Sequence, residues 1–147
     1  VHPDWKMVVG ATGPETERLI RLAEDLGCAA KIEFAGWLDK TTNEYNYARA
    51  TIYVSIPSSD GTSVSMLEAM SADCIPVVSD VPVIQEWIQD GINGVIRKKT
   101  GNPFEEALAL DREVCFAQNR RLITEKVDRR FTTAAFFSIY NDVISSR

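Results

Sequence analysis

The chain has 147 residues, 45% hydrophobic and 25% charged, with a net charge of −5. That is one domain's worth of chain at an ordinary soluble composition, and the acidic balance argues against a general nucleic-acid or anionic-membrane surface, which rewards clustered Lys and Arg. The three cysteines, Cys28, Cys74 and Cys115, are far apart and form no C-x-x-C pair, and no apolar run is long enough to span a membrane, so a reduced, cytoplasmic protein is expected.

In chain order, short β runs alternate with amphipathic helices. Lys6, Met7, Val8 and Val9 read as a strand stopped by Gly10, Ala11, Thr12 and Gly13, and Pro14 suits a first helical turn. Leu19, Leu22, Ala23 and Leu26 fall on one helical face that Gly27 closes. Residues 31–35 alternate as a strand, 40–50 as a helix, and 51–55 form a β-branched, aromatic strand. After a loop at 57–61 come a helix over 62–72, a strand over 75–79, a short helix over 83–89, a turn at Asp90 and Gly91, and a last strand over 94–96. Beyond Gly101 only helix is predicted: one from Pro103, one over 112–127 and one over 132–145. Strands alternating with helices mean βαβ units, so the expected fold is a Rossmann-like α/β domain, a parallel sheet with helices on both faces and a helical C-terminal tail. Such sheets bind ligands at the carboxyl ends of their strands.

The richest of those strand ends carries Ser55 to Met70, SIPSSDGTSVSMLEAM. Gly61 permits close approach of backbone to a ligand, and Thr62 and Ser63 open a helix whose first N–H groups are unpartnered and partly positive, a site for phosphate. Asp60 stands before that helix and Glu68 inside it. Carboxylates beside a phosphate site suit sugar hydroxyls, because two oxygens can take both hydrogens of a vicinal diol. The same letters admit a second reading. Ser65 and Glu68 are spaced as a capping box, and Asp60 can be a plain helix cap.

The stretch from Pro57 to Asp80, PSSDGTSVSMLEAMSADCIPVVSD, resembles the donor-binding motif of family-four glycosyltransferases, in which an acid precedes an E-A-M run and a P-V-V strand. Here those are Asp60, Glu68 with Ala69 and Met70, and Pro76 with Val77 and Val78. Further likenesses keep chain order. Val8, Val9, Gly10, Gly13 and Pro14 look like the family's first strand-turn element. Ile32, Phe34 and Gly36 look like its second strand, Tyr47, Ala48 and Arg49 like the approach to its third. Glu86 to Gly94 looks like its E-x-i-x-d-G-x-n-G turn, and Tyr140 like a tyrosine of its closing helix.

The resemblance implies one half of a GT-B fold, residues 1–147 being a single nucleotide-sugar-binding domain and a fragment of a longer two-domain, retaining hexosyltransferase. It implies a nucleotide-diphosphate sugar as donor, with no separate cofactor and no metal. An acceptor glycan or lipid-linked saccharide would be bound through a missing N-terminal domain, as in polysaccharide biosynthesis. Peripheral membrane association would belong to the full-length protein only, and no nucleic-acid partner is implied. Glu68 would hold the ribose hydroxyls and Asp60 the transferred sugar, and these two are the catalytic candidates. Gly61, Thr62, Ser63 and Val64 would offer backbone N–H groups, and Trp37, Leu38 and Asp39 would border the base. A basic pair that grips the diphosphate would lie upstream, so the fragment alone is expected to be inactive. Two departures stand out: Asp60 replaces the usual Glu, and Asp73 the usual Gly, a position Asp tolerates. Alternatives are a sugar-nucleotide epimerase of the same fold and a non-enzymatic flavodoxin-like ligand-binding module. His2, at the N-terminal end, is not read as a catalytic base. Arg97, Lys98 and Lys99 read as a solvated loop; Arg120, Arg121, Lys126, Arg129 and Arg130 read as a solvated helix face. Phe131, Phe136, Phe137 and Tyr140 read as core or as an interface to the missing domain.

Overall fold

Short apolar runs between turn residues become five strands in the computed structural model, which describes residues 4–145. They are β1 (Met7–Val9), β2 (Ile32–Phe34), β3 (Ile52–Ser55), β4 (Ile75–Ser79) and β5 (Val95–Arg97). The helices are α1 (Thr16–Asp25), α2 (Lys40–Arg49), α3 (Val64–Ser71), α4 (Pro103–Leu108), α5 (Arg112–Leu122) and α6 (Arg129–Ser145). All strand pairing is parallel, as expected for βαβ units, and falls into two ladders, β1–β2 and β3–β4–β5. The chain divides into two compact units, Val1–Asn46 and Tyr47–Arg147. His2 and the side chain of Phe131 lie outside the described residues.

In the N-terminal unit, β1 and β2 pair from Met7 with Ile32 to Val9 with Phe34. Helix α1 starts at Thr16 rather than Pro14. The Thr16 N–H donates to the Gly13 carbonyl (3.0 Å), while the Thr16 hydroxyl accepts from the Gly13 N–H (2.9 Å). Gly27, at φ +66°, ends the helix; Gly27 N–H bonds the Glu24 carbonyl and Cys28 N–H the Ala23 carbonyl, each at 2.9 Å, a Schellman closure. Of the apolar face predicted for α1, only Ala23 is buried; Leu19, Leu22 and Leu26 are exposed.

In the C-terminal unit, β4 is buried on both faces, as a central parallel strand should be. Ile75 and Val77 pack with Val95, Ala107 of α4 and Cys115 of α5. Val78, on the other face, packs with Met66, Leu67 and Met70 of α3 and with Val81, Ile84 and Ile88. Full burial of such a side chain stabilises by about 1.5–3 kcal/mol, so these two clusters hold the unit together. The helix expected over 83–89 is instead a 3-10 turn, Pro82–Glu86. Asn93 stops it: its Oδ1 takes the Gln89 N–H (2.6 Å) and its Nδ2 donates to the Trp87 carbonyl (2.9 Å). The same amide donates to Asn119 Oδ1 of α5 at 2.9 Å, and Asn119 returns a bond to the Asn93 carbonyl at 3.2 Å. Both asparagines are fully buried. Helix α5 runs into a π-helical turn, Ile123–Val127, and α6 begins at Arg129 because Asp128 Oδ1 accepts the Arg130 N–H at 2.9 Å. Phe136, Phe137 and Tyr140 of α6 are exposed, which removes the core reading for them.

Candidate functional site

Because β3 and β4 are parallel, the chain leaves both at one edge of the sheet, Ser55 opposite Val78. From that edge, residues 58–62 run exposed into α3. The helix starts at Val64, two residues later than expected, with Ser63 as its cap residue. Thr62 therefore belongs to the loop. Its first backbone bond runs from Leu67 N–H to the Ser63 carbonyl (3.2 Å), so the N–H groups of Val64, Ser65 and Met66 precede the ladder. Tyr53 of β3 holds this turn in place: its hydroxyl lies 2.7 Å from Ser65 Oγ, which lies 3.3 Å from Ser63 Oγ. Tyr53 escaped the sequence reading because a tyrosine in a strand looks like packing; its position two residues before the end of β3 was the available signal. Ser79 Oγ, ending β4 at this same edge, is buried with no partner among the described residues.

This arrangement removes both capping alternatives. The cap residue is Ser63 and makes no side-chain cap bond, so Asp60 is not the cap and no Ser65–Glu68 box forms. Glu68 is exposed on the solvent strip of α3, one turn below Val64, while Met66, Leu67, Ala69 and Met70 face the core. Asp60 is exposed as well, and neither carboxylate has a hydrogen-bond or ion-pair partner among the described residues. Gly61 has open space where a Cβ would stand, and its φ is not in the left-handed region. The turn itself does not require glycine, so what Gly61 offers is an unshielded backbone.

Leu38 and Asp39 belong to the N-terminal unit. The Leu38 side chain lies over Gly10, where an added Cβ would meet its Cδ1 at 2.8 Å. Asp39 caps α2, its Oδ1 accepting the Thr42 N–H (2.8 Å), and that bond, with one from the Thr42 side chain, lowers its pKa. Trp37 is 87% exposed. The hollow beyond β1 is lined by Val9, Ala11, Thr12, Gly13, Pro14, Glu15, Thr16, Leu19 and Phe34 and includes none of the predicted donor residues. Several expected solvated charges turn out to be paired. Lys98 bonds Asp90 at 2.7 Å, Arg121 bonds Glu125 at 2.8 Å, and Lys126 lies 5.3 Å from the Trp87 ring centre. Arg120 grips the Asp73 carboxylate through two nitrogens. The three cysteines are free, and burial first, then the Asp73 charge, pushes the Cys74 and Cys115 thiols up to about 11. Among the described residues, no group of three or more His, Cys, Asp or Glu could hold a metal, and no helix is long and apolar enough to cross a membrane.

Parallel ladders flanked by helices, with an open helix start at the carboxyl edge, define a Rossmann-like α/β domain of the GT-B type. More particularly, the chain belongs to the Glycosyl transferases group 1 family, whose model matches residues 1–112. It is similar to an exopolysaccharide phosphotransferase of Streptomyces coelicolor, 32% identical over 98 residues, which is 65% of this chain and 10% of that protein. Among solved structures it is similar in fold to a sucrose-phosphate synthase of Thermosynechococcus elongatus (TM-score 0.76, 16% identity, 96% of this chain and 39% of that one). It is also similar to HepE of Anabaena, solved with UDP (TM-score 0.69, 18% identity, 99% of this chain and 42% of that one). The chain thus spans well under half the length of each.

Proposed function

We propose that the chain is the donor-binding domain of a longer, two-domain retaining hexosyltransferase and that it binds a nucleotide-diphosphate sugar at the start of α3. One observation carries the reading: two exposed carboxylates, unpartnered among the described residues, flank an open helix N-terminus at the carboxyl edge of a parallel sheet. The N–H groups of Val64, Ser65 and Met66 suit the diphosphate, with Gly61, Thr62 and Ser63 lending backbone to the sugar side. Glu68 takes the ribose diol, and Asp60, one methylene shorter than the family's Glu, takes hydroxyls of the transferred sugar. The family resemblance assigns the base to Leu38 and Asp39 of the N-terminal unit, where the Asp39 carboxylate is engaged by Thr42. That HepE has been solved with UDP supports a uridine donor class. The exopolysaccharide relative supports a role in polysaccharide assembly; in this reading the acceptor is a saccharide or lipid-linked saccharide, bound through another domain on the cytoplasmic side. The exposed apolar residues of α6 suit contact with that domain.

Catalysis in this scheme is positioning and charge stabilisation. No residue here acts as a nucleophile, and no metal or separate cofactor is needed for donor binding. A transfer assay with a panel of UDP-, GDP- and ADP-sugars, comparing the longer protein with this chain, tests the reading. Turnover is expected from the longer protein and none from the chain alone. Turnover by the chain near the full rate contradicts the two-domain assignment, and no turnover or donor binding by either contradicts the function.

A further inference from the structure

We propose that Tyr53 is a positioning residue of the donor site: acting through Ser65, its hydroxyl holds Ser63 in an orientation that does not cap α3, which keeps the first N–H groups of that helix open to the diphosphate. This rests on the donor-site reading above and adds to it a residue that itself touches no ligand.

The chain supplies its own comparison. Helices α3, α4 and α5 each follow a polar residue in extended backbone. Ser63 stands at φ −72° and ψ 99°, Asn102 at φ −111° and ψ 99°, and Asp111 at φ −66° and ψ 107°. From such a position a side-chain oxygen reaches the N–H of the second or third helical residue. Asn102 Oδ1 accepts the Phe104 N–H at 3.2 Å, and Asp111 Oδ1 accepts those of Glu113 and Val114 at 3.0 and 3.2 Å. Ser63 makes no such bond, although serine is among the best capping residues.

The neighbouring hydroxyls explain why. Ser63 is only 8% exposed, so its hydroxyl has to bond within the protein. Its Oγ faces Ser65 Oγ at 3.3 Å, and Ser65 Oγ lies 2.7 Å from the Tyr53 hydroxyl. The second of these is an ordinary O–H···O distance and the first is long, so the bond from Tyr53 sets the orientation of Ser65, and Ser65 that of Ser63. Tyr53 is well fixed for the task. Its ring packs against the Met66, Leu67 and Met70 cluster and meets the Tyr47 ring edge-on, 6.1 Å between centres. Phenylalanine at 53 keeps that packing and loses only the hydroxyl. Ser65 is then free to turn, and the buried Ser63 hydroxyl finds its better partner in the Met66 N–H. An N–H given to Ser63 is no longer available to a phosphate. The chain thus forgoes an ordinary cap at the one helix start that the donor needs, a local rule broken where a function requires it.

Two measurements on the longer protein test this: amide hydrogen exchange at Met66 without ligand, and titration calorimetry with UDP. Tyr53→Phe should slow Met66 exchange by about 10-fold and weaken UDP by at least about fivefold, because Ser63 then caps the helix. The double variant Tyr53→Phe, Ser63→Ala has no hydroxyl to cap with, so both values should return to within about twofold of the parent. A tyrosine that served packing alone would give no such rescue. Unchanged Met66 exchange in Tyr53→Phe, or a double variant that binds UDP no better than the single one, overturns the proposal and leaves the donor-site reading intact. Slowed exchange with unchanged UDP affinity overturns the donor-site reading, and the part of Tyr53 in it.

Discussion

At the residue scale, the carboxylates of the site and the glycines of the chain divide by what they do for the fold. The Glu68 and Asp60 carboxylates are exposed and have no hydrogen-bond or ion-pair partner among the described residues, so their replacement by the amide should leave stability within about 0.5 kcal/mol, as for other surface changes. Gly61 and Gly94 make the sharpest pair. A Cβ at Gly61 meets open space, whereas one at Gly94 would stand 2.9 Å from both the Cγ and the carbonyl oxygen of Pro76. Gly61→Ala should therefore keep the midpoint of urea unfolding and weaken donor binding, and Gly94→Ala should lower the midpoint. A loss of stability at Gly61 equal to that at Gly94 would show that the loop glycine serves the turn after all. Asn93→Ala should also destabilise, by roughly 1–3 kcal/mol or more, because it strands the buried Asn119 Oδ1 and the Gln89 N–H. The glycine and asparagine of the family-like turn were legible in the sequence as a motif. Their physical reason was not, since it lies in Pro76 and Asn119, far away in the chain.

At the scale of elements, helix ends decide where sequence and structure agree. Asp73 sits at φ +62°, the left-handed conformation expected where the family uses Gly, and Arg120 of α5 holds its carboxylate. Asp73→Gly relieves backbone strain and loses an exposed ion pair, effects of about 1 kcal/mol each and opposite in sign, so stability should hardly change. Asp73→Ala keeps the strain and loses the pair, so its unfolding midpoint should fall below that of the glycine variant. The 3-10 turn in place of a helix over 83–89 has its cause in Asn93, whose side chain takes the Gln89 N–H and the Trp87 carbonyl, and such competition does not show in hydrophobic periodicity. The start of α6 offers a pH test. Arg130 bonds the Asp128 carboxylate by side chain and backbone and holds its pKa at about 2 against the ordinary 3.8. A carboxylate lowered on folding stabilises above its unfolded value and loses that contribution as pH falls through its folded one. Helicity followed by circular dichroism should thus decline between about pH 4 and pH 2 in the parent chain, and Asp128→Asn should lack that step. A step of equal size in both would assign the loss to another group.

For the whole molecule, the alternation of strands and helices made the parallel α/β class readable from the letters alone, because buried β-branched runs and amphipathic helices have different periods. The division of the strands into two ladders was not readable, since strand order depends on partners that no local pattern names. The candidate donor site was half legible. The order of acid, glycine, helix start and acid was in the sequence, but whether those acids served as caps or stood free was settled only by the placement of Ser63 and Tyr53. The central claim is that Glu68 reads the nucleotide and Asp60 the sugar. Titration calorimetry of the longer protein with UDP and with UDP-glucose, in the parent and in the Glu68→Gln and Asp60→Asn variants, tests it most directly. A hydrogen bond to a charged group contributes about 1.5–3 kcal/mol, so Glu68→Gln should weaken both ligands by about 10- to 150-fold. Asp60→Asn should weaken UDP-glucose alone. Unchanged affinity in the Glu68 variant, or equal losses for UDP and UDP-glucose in the Asp60 variant, would contradict the account.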